Sequence, residues 1–204
     1  MEKNMKELYR KGLYLEYFTV AYNTAEAVLA IVFGKMANSI ALIGFGLDSI
    51  VESLSGFVLI WRLHKHGKIS EEEEEKAERK AMKFVAATFF ILGGYVLFQS
   101  LKKLVTKEIP DPSLPGIILA VVSIVVMPVL SFQKIKTGKE IKSKALVADA
   151  KETFACAMLS IALLLGLSLN YALGIWQADA IAGLIIVIFL IREGCESWEA
   201  ATNP

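Results

Sequence analysis

The chain is poor in the features that mark disulfide-stabilised, secreted or nucleic-acid-binding proteins. Its 204 residues include only two cysteines and carry a formal net charge of +1. Two cysteines in or near apolar segments make a poor disulfide framework, so they leave the redox compartment open. A nearly neutral chain gives no reason to expect a nucleic-acid partner. The charged N-terminus, without a short apolar core and cleavage site, predicts no cleavable signal peptide.

Apolar residues are abundant instead and make up 55% of the chain. That share exceeds what the surface of a soluble domain of this length supports. The apolar residues form runs of about 20 residues, the length that crosses a bilayer as a helix. We therefore predict an all-α membrane protein with a single transmembrane domain over residues 1–204. Its six predicted transmembrane helices cover residues 13–33, 38–62, 82–104, 114–133, 144–168 and 177–196.

Lysine and arginine residues set the predicted orientation. They concentrate at the N-terminus, between helices two and three, and between helices four and five. The loops on the other side of the membrane hold few of them. By the positive-inside rule both termini are cytoplasmic. The expected location is the cell (inner) membrane.

A run of glutamates precedes helix three. Ser70 and Glu73 fit a capping box there, and acids at a helix start favour a solvated cytoplasmic turn over an ion-collecting patch. His64 and His66 stand just before the run. We expect them to be solvated, and the alternative is that they pass a metal ion to the membrane domain.

The predicted helices contain a weak internal repeat. Segments 39–53 and 143–157 align without gaps, and both begin Ser-x-Ala-Leu. Helices two and five cross the membrane in opposite directions, so the repeat predicts two three-helix halves of inverted topology. Each segment carries a pair of polar or acidic side chains nine and thirteen residues after its serine: Asp48 and Glu52 in helix two, Glu152 and Cys156 in helix five.

The spacing of these pairs places each pair on one face of its helix. An ionised side chain at the bilayer centre costs several kcal/mol, so four uncompensated groups are implausible. A divalent cation between the two helices would compensate them, because three carboxylates and one thiolate form a four-coordinate shell. The alternative is a partly protonated polar cluster that holds the helices together. We predict a metal site formed by Asp48, Glu52, Glu152 and Cys156.

Other polar residues of the predicted helices each have two interpretations. Asn23 and Glu26 of helix one are candidates for an additional ligand or a proton relay, or they form hydrogen bonds between helices. Asp149 is either a further ion-capture group or an acid favoured by the dipole of helix five. Lys151 is expected to snorkel or to neutralise Asp149 or Asp179.

The chain resembles the cation diffusion facilitator (cation efflux) family over nearly its whole length, in the segments SIALIGFGLDSIVESLSG, SKALVADAKETFACAMLS and WQADAIAGLIIVIFLIREG. The resemblance implies six transmembrane helices, a homodimer, and the exchange of divalent metal ions, most often zinc, for protons. It also implies a metal site from two four-spaced pairs, which fall on Asp48 with Glu52 and on Glu152 with Cys156. Family members often carry a cytoplasmic C-terminal domain. We expect a short form without it, because the chain stops just past helix six.

The sequence departs from the family pattern on helix five, where the usual histidine is Glu152 and the usual aspartate is Cys156. Carboxylates suit Mn²⁺ and Fe²⁺, while a thiolate favours Zn²⁺, Cd²⁺ or Co²⁺. The resemblance thus implies a proton-coupled metal exporter, not an enzyme, with Zn²⁺ as first candidate substrate and no resident cofactor. One alternative is a membrane metal sensor or structural protein without transport. Another is an intramembrane aspartyl protease, although GFGLD lacks the required Gly-Asp junction.

Overall fold

The structure, a computed structural model, describes residues 2–65 and 71–202, which form six α-helices and no strand. The helices overlap the six predicted segments. They are α1 Glu2–Met36, α2 Ile40–Lys65, α3 Glu71–Thr106, α4 Leu114–Glu140, α5 Lys144–Leu173 and α6 Gln177–Thr202. His66 and Ser70 lie outside the described residues, so the interpretations that rest on them stay predictions.

The helices differ in how well they suit a membrane. Among the described residues, the five helices α1 to α5 are long and apolar enough to span one. In α6 the uncharged run covers only residues 180–191, between Asp179 and Arg192. That run is shorter than the roughly 20 residues needed to cross the hydrocarbon core. The prediction of an all-α membrane protein is therefore confirmed, whereas α6 as a sixth span stays a prediction.

Helix α2 lies at the centre of the bundle, because it contacts α1, α3, α5 and α6. The most extensive pairings are α3 with α6, α4 with α5, and α1 with α2. One buried core draws apolar side chains from all six helices, among them Ala30, Phe45, Val96, Met127, Leu163 and Ile186. Large apolar side chains also cover the outer surface, as expected where helices face lipid chains.

The α1–α2 and α4–α5 corners are built alike. Ser39 and Ser143 each accept a hydrogen bond from the backbone N–H three residues later, at 3.1 and 3.3 Å. The residues before them, Asn38 and Lys142, have left-handed backbones with φ of 48° and 56°. The repeat seen in the sequence therefore extends to backbone conformation and helix capping.

Two glycines allow the two helices at each of these corners to pack closely together. A Cβ atom on Gly34 would lie 2.8 Å from Cγ1 of Ile43 and 3.0 Å from its backbone N. A Cβ atom on Gly138 would lie 2.9 Å from Cγ2 of Val147 and 3.2 Å from its backbone N. Both glycines stand five residues before the capping serine, so a side chain at either position would push the two helices apart.

Contacts between the two halves are reciprocal. A Cβ atom on Gly12 would lie 3.4 Å from Leu146, and one on Gly116 would lie 2.7 Å from Leu42. Gly116 and Leu146 follow Gly12 and Leu42 by the same offset, 104 residues. Gly12 thus contacts the counterpart of Leu42, and the counterpart of Gly12 contacts Leu42 itself. An approximate two-fold axis produces this pattern.

A buried ion triad joins α1, α4 and α5. Nζ of the fully buried Lys134 lies 2.5 Å from Asp149 Oδ2 and 3.0 Å from Glu16 Oε1. Its ammonium also donates to Thr153 Oγ1 at 3.4 Å. The predicted pairing of Lys151 with Asp149 is therefore wrong: Lys151 is exposed, and Asp149 pairs with Lys134.

A second buried cluster ties the start of α6 to α2 and α3. The Asp179 carboxylate accepts hydrogen bonds from the Ser39 hydroxyl and, at 3.0 Å, from the backbone N–H of Ile40. Lys103 Nζ lies 3.9 Å from the same carboxylate and donates to the carbonyl of Asn38. The predicted pairing of Lys151 with Asp179 is therefore also wrong.

Replacing Gly34 by alanine tests the corner. We expect the free energy of unfolding to fall by about 1–3 kcal/mol, because the new Cβ would overlap Ile43, including its backbone. Gly94→Ala is the matched control, since nothing lies within 4 Å of its Cβ position and alanine favours a helix by up to about 1 kcal/mol. Thermal unfolding of the purified proteins in detergent compares the two. Equal stability of both variants would contradict the close approach.

Removing the ammonium of Lys134 tests the triad. We expect Lys134→Met alone to lower the free energy of unfolding by about 3–5 kcal/mol, because it leaves two buried carboxylates unpaired. Adding Glu16→Gln and Asp149→Asn removes those charges and should restore most of the loss. Unfolding in detergent checks all variants at one pH. A single variant as stable as the wild type would show that Lys134 does not compensate buried charge.

Candidate metal centre

Three of the predicted ligands converge between α2 and α5. One carboxylate oxygen of Asp48, one of Glu52 and Sγ of Cys156 all lie within 4.8 Å of one another. The three side chains are buried, with 6%, 5% and 2% of their surface exposed. Cys156 is a free thiol. Two donor atoms on one tetrahedral Zn²⁺ ion lie about 3.3–3.8 Å apart, so side-chain shifts of about 1 Å bring this group to coordinating distance.

The positions of these groups follow from the spacing of residues within each helix. Asp48 and Glu52 are four residues apart in α2, so one face of the central helix presents both carboxylates. On a different face of α2, roughly opposite to Asp48, a glycine lets α1 approach closely. A Cβ atom on Gly46 would lie 2.9 Å from Cγ1 of Ile31 on α1 and 3.0 Å from the Ala30 side chain.

The carboxylate of Glu52 stands out among the buried acids. Both of its oxygens are buried and lack a hydrogen-bond partner among residues 2–65 and 71–202. A buried polar group without a partner costs free energy, and native structures nearly always satisfy such groups. The unsatisfied oxygens of Glu52, next to Asp48 and Cys156, therefore fit a site that awaits a cation or protons.

Glu26 of α1 lies beside this group and is hydrogen-bonded. Its carboxylate accepts hydrogen bonds from the Ser49 hydroxyl at 3.0 Å and from the Tyr22 hydroxyl at 3.1 Å. It is close enough to Glu52 and Cys156 for their charges to interact. Through Ser49, the residue that follows Asp48, a hydrogen-bonded link connects Glu26 to α2.

Asn23 is fully buried on the same helix. Neither its amide nitrogen nor its amide oxygen has a hydrogen-bond partner in the described part of the chain. The expected hydrogen bond between helices is therefore not made by Asn23 in this conformation. Its amide stays a candidate for an additional ligand, one turn from Glu26.

Glu152 lies apart from the three converging ligands. Its carboxylate accepts a hydrogen bond from the Ser55 hydroxyl of α2 at 3.2 Å. Its half-buried side chain lines a cavity of about 580 Å³ between α3, α5 and α6. It still shares a helix face with Cys156, one turn away. The structure thus assembles three of the four predicted ligands and places the fourth at their edge.

Asp149 and Lys134 form the other border of the site. Asp149 is held by Lys134 and is not part of the converging group. The ammonium of Lys134 is near enough to Glu52 for the two charges to interact. Sequence reasoning missed Lys134 because it assigned residues 134–144 to a basic cytoplasmic loop, whereas α4 continues to Glu140. Lys136 and Lys139 of the same segment are exposed, and nothing in the sequence distinguishes the buried Lys134 from them.

Comparison with known proteins agrees with this architecture. Residues 17–200 match the family described as the cation efflux transmembrane domain. Uncharacterized transporter MJ0449 of Methanocaldococcus jannaschii is 24% identical over 181 residues, covering 85% of this chain and 62% of that protein. Transmembrane protein 163 of Xenopus laevis is 23% identical over 194 residues, covering 91% of this chain and 65% of that protein. The chain thus spans less than two thirds of the length of either relative.

The family match covers nearly all of the six helices, including both helices that carry the converging ligands. Its members are cation transporters and not enzymes in the usual sense, which argues against the aspartyl protease alternative. With its apolar helices, the protein is an integral membrane protein. The chain belongs to the cation efflux family.

Proposed function

We propose that the protein carries a divalent metal cation across the membrane and binds it between Asp48, Glu52 and Cys156. The observation that carries this proposal is the buried, unsatisfied carboxylate of Glu52 within 4.8 Å of the other two donor groups. Membership of the cation efflux family supports transport. The metal ion is the transported substrate, and the proposal includes no resident cofactor.

Zn²⁺ is the first candidate substrate. The thiolate of Cys156 favours Zn²⁺, Cd²⁺ or Co²⁺, whereas carboxylates also accept Mn²⁺ and Fe²⁺. Three converging donors leave a fourth position open. Glu152 would fill it after exchanging its bond to Ser55 for the metal, since it shares a helix face with Cys156.

Proton antiport follows from the same donor atoms. A thiol and carboxylates must lose their protons to bind a metal, so metal and protons compete for one set of atoms. Metal binding from the cytoplasm would release protons, and protonation from the other side would displace the metal. Glu26, linked to α2 through Ser49, is a candidate relay for these protons, and Asn23 is a candidate further ligand.

The internal repeat supports an alternating-access mechanism. The matching corners and the reciprocal contacts of Gly12 and Gly116 fit two halves, α1–α3 and α4–α6, with α6 as a sixth span. Three spans per half would give the halves opposite orientations, with the site where they meet. Rocking one half against the other would open the site to either side. In this proposal both termini are cytoplasmic and a homodimer in the cell (inner) membrane exports the metal.

Metal uptake into proteoliposomes under an imposed pH gradient tests transport. We expect the wild type to take up at least one of Zn²⁺, Cd²⁺, Co²⁺, Mn²⁺ and Fe²⁺, and to slow when the pH gradient is dissipated. Asp48→Ala should fall to the rate of empty liposomes. Asp111→Ala, at an exposed acid between α3 and α4, is the control and should transport normally. Stoichiometric binding without any flux would favour the sensor or structural alternative.

The role of Cys156 is tested by metal preference. Replacing it by serine should weaken Cd²⁺ binding by about 10–100-fold and Mn²⁺ binding much less, because the thiolate stabilises the softer metal. Cys195→Ser, at the exposed cysteine of α6, is the matched control. Isothermal titration of the solubilised variants measures both affinities. Equal losses for the two metals, or none, would remove Cys156 from the binding shell.

A further inference from the structure

The cavity between α3, α5 and α6 has an acidic wall. Its volume is about 580 Å³, and its polar lining includes Glu152, Glu193 and Glu196 together with Lys151 and Arg192. The positive charges compensate this wall only in part. Arg192 is exposed and paired with Glu196 at 2.7 Å, and Lys151 is exposed.

Glu193 is the unexplained group of this cavity. Only 9% of its surface is exposed, and no hydrogen bond or ion pair joins its carboxylate to another residue of the described ranges. Its charge is close enough to act on Asp48 and Glu152, and the exposed Arg192 offsets it in part. A carboxylate without an ion pair that lines a cavity among other acids favours the binding of a cation there.

The cavity lies toward one end of the bundle and is linked to the candidate metal centre through Glu152, although none of the three converging ligands lines it. Its lining comes from residues 148–158 of α5 and residues 189–197 of α6, with Met82 of α3. In the predicted orientation these are the cytoplasmic portions of the three helices. Glu152 forms part of the wall and is hydrogen-bonded to Ser55 of α2, three residues past Glu52. Glu152 therefore faces the cavity on one side and the centre on the other.

We propose that Glu193 and Glu152 form a second, outer cation site, through which the transported metal reaches Asp48, Glu52 and Cys156 from the cytoplasm. This inference rests on the proposed function. The outer site offers only carboxylate oxygens, so it binds hard divalent cations such as Mn²⁺ and discriminates little among metals. Two carboxylates hold a divalent ion weakly, which suits a site that must release it inward.

The first experiment is an equilibrium titration with Mn²⁺, followed by the electron paramagnetic resonance signal of the free ion. The solubilised protein carries Asp48→Ala, which disables the inner centre. We expect this variant to keep one weakly bound Mn²⁺ per chain. Adding Glu193→Gln should remove it, and adding Glu193→Asp should keep part of the binding. Adding Glu199→Gln, at an exposed acid of α6 outside the cavity lining, should leave it unchanged.

The second experiment measures Mn²⁺ uptake by the otherwise unmodified protein. Glu193→Gln should raise the half-saturating Mn²⁺ concentration about tenfold, while Glu199→Gln, outside the cavity lining, stays near the wild type. An unchanged half-saturating concentration for Glu193→Gln would overturn the outer site as an access route. If the wild type carries no metal, the proposed function fails, and the titration still decides the outer site. Binding that survives Glu193→Gln, or its absence from Asp48→Ala, would overturn it.

Discussion

A charge inside a hydrocarbon layer must be compensated by groups next to it, and this constraint organises the whole bundle. Lys134 compensates two carboxylates at once and so fixes α1, α4 and α5 together. Asp179 is compensated by the backbone and side chains at the start of α2 and by Lys103 at the end of α3. Glu26 is satisfied by two hydroxyl groups. Glu52 is buried with both oxygens unsatisfied and has only the nearby ammonium of Lys134 to offset its charge, so in the proposed function a bound metal ion or protons complete the compensation.

The internal repeat places the Glu52 carboxylate between the two halves of the bundle, close to Cys156 of α5. Matching glycine and serine corners position α2 and α5 equivalently, and the reciprocal contacts of Gly12 and Gly116 set the two halves against each other. The converging donors lie on these two equivalent helices, so they come from both halves. The ion triad departs from the repeat, because the counterpart of Lys134 is Ala30. The two sides of the site are therefore electrostatically different, although the backbone around them repeats.

The sequence predicted what depends on local spacing and missed what depends on the ends and packing of helices. Asp48 and Glu52 share a face because a helix repeats every 3.6 residues, and Cys156 opposes them because α5 repeats α2. Glu152 is hydrogen-bonded to Ser55 and faces the cavity. The spacing of residues along the sequence gives no information about either contact. Lys134 was missed because helix four was predicted to end at residue 133, whereas α4 continues to Glu140. The ion pairs predicted for Lys151 are wrong because other lysines lie next to both carboxylates. Lys103 of α3 lies near Asp179, and Lys134 of α4 pairs with Asp149.

In the proposed centre one metal ion bridges α2 and α5 through two carboxylates and one thiolate. X-ray absorption at the zinc K-edge of the zinc-loaded protein is the decisive measurement, because the spectrum counts sulfur neighbours. We expect one sulfur at about 2.3 Å with oxygen neighbours at about 2.0–2.2 Å. The sulfur contribution should vanish in Cys156→Ser and persist in Cys195→Ser. A shell of oxygen or nitrogen alone, unchanged by the Cys156 substitution, would contradict it.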